Sequence, residues 1–188
     1  PQGLINLMGG RENYVRKMDQ IFTSDPSSDY SYYGFKIHEI LEMEIGGMGQ
    51  YAHGNQPAQH AIYLYNYAQE PWKTQEKVRY VMDNLYGSGA DGYCGDEDNG
   101  QTSAWFVFSS LGFYPVAPVT GQYVIGSPLF EEVTIELSNG KELKINAKND
   151  SAKNIFINDF KLNELESNKN WLDHADLRKG GVIDFEMS

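Results

Sequence analysis

A single cysteine, Cys94, stands among the 188 residues, so no internal disulfide can brace the fold. No apolar run approaches the length of a membrane-spanning helix. Basic residues are scarce: 15 Lys and Arg face 26 Asp and Glu, for a net charge of −11 and a pI near 4.7. A chain this acidic repels phosphate backbones and anionic lipid surfaces, which argues against a nucleic-acid partner and leaves neutral substrates and cations open. Several catalytic signatures are missing too. There is no G-x-S-x-G, and Cys94 has no histidine near it in sequence, so nucleophilic serine or cysteine chemistry finds no support. No glycine-rich stretch matches a P-loop or a dinucleotide fingerprint. His53 and His60 have neither an H-E-x-x-H pattern nor a cysteine pair behind them, so zinc is not expected. A signal-peptide pattern is also lacking, but that says little, because the ends read as cut. The chain opens "PQGLINLMGG" without Met and closes "GGVIDFEMS" as if within a strand. A piece of a longer protein is the expectation.

What the sequence does have is aromatic residues, 13% of the chain with 13 Tyr, more than disordered chains carry. A packed core is expected, with some rings free to serve as stacking platforms for sugars. The first part reads as helices. In "GGRENYVRKMDQIF" the residues Tyr14, Val15, Met18, Ile21 and Phe22 fall on one face. "FKIHEILEMEIGG" suits a short helix, although its alternation of apolar and acidic residues leaves the assignment open. Pro57 and Pro71 are placed for first helical turns of "PAQHAIYLYNYA" and "PWKTQEKVRYVMDNLYG", the latter with Gly87 as its stop. "QTSAWFVFSSLGFYP" is apolar almost all round, which predicts a helix buried on most sides. Beyond residues 116–120 the period changes to two. Asn139-Gly140, between alternating runs, predicts a type I′ hairpin, and Asn158-Asp159 a further tight turn. The fold class is therefore α then β, with helices and long loops over 1–117 and antiparallel strands over 118–188.

Three stretches carry chemistry. "GDEDNGQTSAW" crowds Asp96, Glu97 and Asp98 between glycines just before an apolar segment. In an extended loop, residues two apart project to one side with Cα atoms roughly 6–7 Å apart. Like charges held that close favour keeping a proton on one of them, which suits a general base working near neutrality. The alternative is that Asp98 or Asn99 caps the following helix while Asp96 is merely solvated. An EF-hand is excluded, since its twelfth position falls on Val107. "GQYAHGNQPAQH" sets Asn55 and Gln56 in a Gly-bounded turn. Amide oxygens suit a hard cation and amides also read sugar hydroxyls, although Gly-Asn favours a turn by itself. His38-Glu39, with Glu42 and Glu44 following, form no dyad by spacing on a helix. They line a pocket only if the chain there is irregular.

Taken together, "GLINLMGG", "GMGQYAHGNQPAQHAIYLYNYAQEPWKTQ", "DGYCGDEDNGQTSAWFVFSSLGFYPV" and "YVIGSPLF", continued by "LSNGKELKINAKNDSAKNIFI", resemble glycoside hydrolase family 92, the calcium-dependent exo-acting α-mannosidases. The resemblance covers nearly the whole chain in contiguous runs. It implies the C-terminal part of an (α/α)6 toroid over 1–117, followed by strands of a small sandwich over 118–188. It implies inverting hydrolysis of α-mannosidic bonds, with Asp98 as catalytic base and Asp96 as its close companion. His38 and Glu39 match a pair associated with gripping the next sugar in α-1,2-mannosidases. Asn55 and Gln56 match part of the floor that binds Ca2+ and sugar. The expected partners are mannose-containing glycans and the remainder of the parent chain. An exported bacterial protein, periplasmic, cell-surface or secreted, is implied. One departure matters: the family's acid, a glutamate in Glu-Gly-Asn-Ala-Trp-Gln-Tyr, occurs nowhere between Pro1 and Ser188, and would lie just upstream. The 188 residues alone are thus expected to be inactive. The rival reading is a non-catalytic carbohydrate-binding or interaction module whose strands do the work.

Overall fold

In the computed structural model, which describes residues 1–27 and 29–188, helices precede strands. The helices are α1 (Gln2–Leu7), α2 (Arg11–Thr23), α3 (His38–Gly46), α4 (Pro71–Asn84) and α5 (Gln101–Ser110). The α2 stripe behaves as its period requires. Tyr14, Val15 and Met18 are buried, and Ile21 and Phe22 pack partly buried beside them. On α4, Val78, Val81 and Met82 face the core, and the helix ends at Asn84, before Gly87.

Pro57 does open a helical turn, but the segment is not α-helical. Gln56–Ala58 and Ala61–Ala68 are 3-10 turns, the second eight residues long. The carbonyl of Ile62 accepts from Thr74 Oγ1 at 2.8 Å, and that of Tyr63 accepts from Asn66 Nδ2 at 3.2 Å. Side chains competing for these carbonyls offer the backbone an alternative to the α-helical ladder. Helix α5 also departs from its pattern. Trp105 is fully enclosed, yet Val107 on another side is 55% exposed.

The strands are β1 (Phe113–Tyr114), β2 (Gln122–Ile125), β3 (Glu132–Glu136), β4 (Glu142–Lys148), β5 (Ile157–Leu162), β6 (Leu165–Glu166), β7 (Trp171–Asp173) and β8 (Gly181–Met187), with α6 (His174–Leu177) before the last. They form two sheets, β1-β2-β7 and β3-β4-β8-β5-β6. Alternation sets the faces: Leu143, Ile145 and Ala147 of β4 and Ile183, Phe185 and Met187 of β8 point inward. They meet Phe113, Ile125 and Leu172 from the smaller sheet, which makes a sandwich core. All pairings are antiparallel except one. β4 and β8 run parallel, so the larger sheet is mixed, a correction to the all-antiparallel expectation. The intervening β5, β6, β7 and α6 supply the crossover that a parallel pair needs.

The turns also differ from expectation. A hairpin does join β3 to β4, but only Gly140 has positive φ. Leu137 N–H donates to Lys141 O at 2.7 Å across a three-residue loop, so the turn is not type I′. Two consecutive positive φ values, which type I′ demands, occur at Asn163 and Glu164 between β5 and β6. Asn158-Asp159 is no turn. It lies in β5, where the register shifts between Ile157 and Asp159.

Candidate active site

Two loops meet above the start of α5. One runs from Tyr51 to Pro57, the other from Cys94 to Gly100. They touch at glycines. A Cβ built on Gly54 would lie 2.6 Å from Glu42 Oε2 and 2.9 Å from Gly95 Cα. One on Gly95 would lie 2.6 Å from Gly54 Cα. Only hydrogen at both positions lets the backbones approach this closely.

Behind the contact, buried Gln59 ties the loops together. Its Nε2 donates to His53 O at 3.2 Å and to Thr102 Oγ1 at 3.1 Å, and its Oε1 accepts from Gln101 Nε2 at 3.0 Å. Thr102 Oγ1 in turn donates to the carbonyl of Asp96 at 2.9 Å. Sequence reasoning missed Gln59 because its partners lie far off in the chain.

The resulting cavity, of about 240 Å3, is lined by His38, Glu39, Glu42, Asn55, Gln56 and Pro57, with Asp96 and Asp98 from the opposite loop. All six residues singled out in the sequence therefore share one cavity. Its charged lining is four carboxylates and one histidine, with no Lys or Arg.

Asp98 is half-buried, and its side chain makes no hydrogen bond or ion pair among the described residues. It does not cap α5. Glu97 does: its Oε2 accepts from Gly100 N–H at 2.6 Å and its Oε1 from Ser103 Oγ at 2.5 Å. These bonds hold the Glu97 carboxyl below the usual range, Ser103 contributing most. Asp98 at φ 55° and Asn99 at φ 56° both sit in the left-handed region. Two successive non-glycine residues there store strain, which a fold retains where side chains must be aimed.

His38 and Glu39 line the cavity although α3 is regular, because they occupy its first turn, at the rim. His38 Nδ1 lies 3.0 Å from Glu42 Oε1 and its Nε2 3.4 Å from Glu39 Oε1. The bond to Glu42, aided by the charges of Glu39 and Asp96, raises the imidazole pKa and favours the cation. Glu42, named in the sequence only as following His38-Glu39, is thus a member of the site. The i, i+4 spacing to His38 was the available signal.

His53 lies behind the wall, not in the cavity. Tyr86 O–H donates to Thr102 O at 3.0 Å, so His53 Nε2–H must donate to the Tyr86 oxygen at 2.9 Å. Nδ1 then accepts from Tyr51 O–H at 2.7 Å. Burial drives the imidazole pKa down to about 3, so this is a neutral core histidine.

Asn55 and Gln56 are exposed, and their side chains hold no protein partner among the described residues. Their amide oxygens with the facing carboxylates are donors of the kind a hard cation takes. Among the described residues, no three His, Cys, Asp or Glu side chains form a metal-binding group by themselves. Amide or backbone oxygens, or donors from outside the chain, would have to complete any such site.

Known proteins share this fold. Residues 1–188 match the glycosyl hydrolase family 92 catalytic domain. The fold superposes on an inverting family GH92 mannosidase of Bacteroides thetaiotaomicron with a TM-score of 0.83 at 53% identity, over 100% of this chain and 26% of that one. It superposes on a family GH92 alpha-mannosidase of Bacteroides thetaiotaomicron in complex with mannoimidazole with a TM-score of 0.84 at 38% identity, over 95% of this chain and 22% of the other. An uncharacterized secreted glycosidase of Arthroderma benhamiae is 27% identical over 187 residues, 98% of this chain and 21% of its own length. The chain thus spans about a fifth to a quarter of these relatives. With the match unbroken from the first residue to the last, and two mannosidase structures superposing on helices and sandwich alike, the chain belongs to glycosyl hydrolase family 92.

Proposed function

We propose that these residues supply the general base and part of the sugar-binding floor of an inverting exo-α-mannosidase, with a preference for α-1,2 linkages. The observation that carries this reading is Asp98: a carboxylate without a partner among the described residues, on a strained loop, facing a cavity shared with Asp96, His38, Glu39, Asn55 and Gln56. Asp98 takes a proton from a water aimed at the anomeric carbon, and Asp96 holds that water beside it. His38, kept protonated by Glu42, donates to a hydroxyl of the following sugar while Glu39 accepts from another. Asn55 and Gln56 would hold Ca2+ through their amide oxygens and orient the mannose beside it. The ion would supply positive charge to the sugar hydroxyls, so that binding energy is spent toward the transition state.

Inversion needs an acid on the leaving oxygen as well, roughly 6.5–9.5 Å from the base. No residue of this chain is assigned that role. The acid belongs to the remainder of a longer, exported protein acting on mannose-containing glycans. Leu7 on α1, Ile45 on α3 and Val107 on α5 stand exposed, which supports further chain packing over them. The isolated 188 residues should then not turn over α-1,2-mannobiose, and measurable hydrolysis by them would refute the division of labour.

The decisive experiment is Asp98→Asn in the full-length protein. Loss of a general base lowers kcat by about 100- to 10,000-fold, and NMR of the released sugar from the parent enzyme should show the β anomer first. A variant with undiminished kcat would end the assignment.

A further inference from the structure

On the side where α4 begins beside the smaller sheet lies a larger cleft, of about 750 Å3, which shares no lining residue with the cavity of Asp98. We propose that this cleft is a second carbohydrate site, one that binds a neutral glycan without cleaving it. The inference goes beyond the cleavage-site reading, and its ligand class rests on the lining alone.

The lining is unusual for so acidic a chain. It contains no charged residue, although 22% of the sequence is charged. With no carboxylate or histidine in the lining, acid–base chemistry has no agent there. What lines it instead is rings and amides. Trp72, on the first turn of α4, is 51% exposed, and Trp171, on the edge strand β7, is 37% exposed. They come from positions far apart in sequence and frame one opening with Tyr67. Indole faces left open to water are costly unless something packs on them, and the C–H face of a pyranose is a surface of matching shape and polarity. Lys169 Nζ lies 5.7 Å from the Trp171 ring centre, whereas Trp72 has no ring or cation partner among the described residues.

Five amides complete the lining: Asn66, Gln69, Gln122, Asn168 and Asn170. Amides both donate and accept, as hydroxyl recognition requires. Asn168 is exposed and makes no hydrogen bond among the described residues. Asn66 is only 5% exposed. Its Nδ2 donates to Tyr63 O, Thr74 Oγ1 and Ile125 O, and its Oδ1 has no partner. A buried acceptor left alone is costly, which marks Asn66 as the one amide of the lining with unmet hydrogen-bonding capacity in the interior. The volume also falls within the usual range for ligand pockets.

The test uses the full-length protein and soluble yeast-type mannan as the probe, in native gels with and without the polysaccharide. Wild-type protein should be retarded by mannan. Trp72→Ala and Trp171→Ala should each weaken that binding about tenfold, the equivalent of losing one stacked ring. Hydrolysis of α-1,2-mannobiose should be unchanged in both. Asn168→Ala, which removes an exposed side chain with no hydrogen bond among the described residues, should weaken binding without lowering the melting temperature. Trp171→Phe should restore most of it. Asp98→Asn should be retarded as the wild type is, so failure of the cleavage assignment is read separately, from turnover. Wild-type protein that mannan does not retard, or tryptophan variants that bind as tightly as wild type, would overturn the proposal. So would a full-length structure in which another segment covers Trp72 and Trp171.

Discussion

Two histidines of this chain show how surroundings decide chemistry. His38 stands at the cavity rim with Glu42 3.0 Å from its Nδ1, and that contact raises its pKa. The cation is therefore favoured by the fold. Its contribution is complete below the free value near 6.5 and is lost as pH climbs through the raised folded value. An imidazole titration followed by NMR should place the His38 midpoint above 6.5, and Glu42→Gln should bring it back down. A midpoint unmoved by that substitution would disprove the role given to Glu42. His53, with both nitrogens committed to tyrosines and a pKa near 3, should show no titration between pH 5 and 8 in the same spectra. Cys94 is governed by burial as well. Its thiol is pushed up to about 11, so little thiolate exists at neutral pH. Thiol reagents should modify it far more slowly at pH 7.5 than they modify a free cysteine.

The start of α5 is a small machine for aiming a loop. Glu97 secures Gly100 and Ser103, while Thr102 holds the Asp96 carbonyl, and this leaves Asp98 projecting between two fixed points. Removing the cap with Glu97→Ala should lower the urea midpoint and should lower kcat although Asp98 is intact. Gly54 and Gly95 form the other constraint. Either glycine changed to alanine must push the two loops apart, at a cost of about 1–3 kcal/mol. Activity of the full-length protein should fall for the same reason, because Asp98 would no longer face Asn55 and Gln56. Unchanged kinetics in Gly95→Ala would show that the loop contact does not position the site.

Helices and sandwich are locked together by polar bonds as well as by shared apolar packing. Arg79 of α4 reaches Asp150 at 2.8 Å, with both side chains 5% exposed, and also donates to the carbonyls of Pro128 and Ser151. Gln75 Oε1 accepts from Ile157 N–H at 3.2 Å, and Asn66 bridges to Ile125 and Asn170. Tyr114 and Val124 pack in the same core cluster as Val78 and Trp105. Asp150→Ala would strand the Arg79 guanidinium in the interior and should cost about 3–5 kcal/mol, whereas a double replacement of both partners by apolar residues should cost much less. Comparing the two urea midpoints checks this. If the single variant is as stable as the double, the pair does not hold the layers together.

Much of this protein was legible in one dimension. The period of apolar residues announced α2, α4, β4 and β8, because burial of one face is a local pattern that follows helix and strand geometry. The acidic loop, the amide turn and the His-Glu pair were visible as residue types. Other features depended on contacts that residue type and period do not fix. That Glu97 and not Asp98 caps α5 is decided by how the loop turns, since either acid lies within reach of Gly100 and Ser103 in sequence. That β8 lies parallel to β4, and that an eight-residue stretch winds as a 3-10 helix, are settled by partners farther off: a strand returning after a crossover, and Thr74 taking a carbonyl from Ile62. The sequence by itself determined which groups were available. Only the folded chain, by bringing Gly54 against Gly95, decided which of them face one another, since close approach of two backbones is a property of three-dimensional packing that no local pattern encodes.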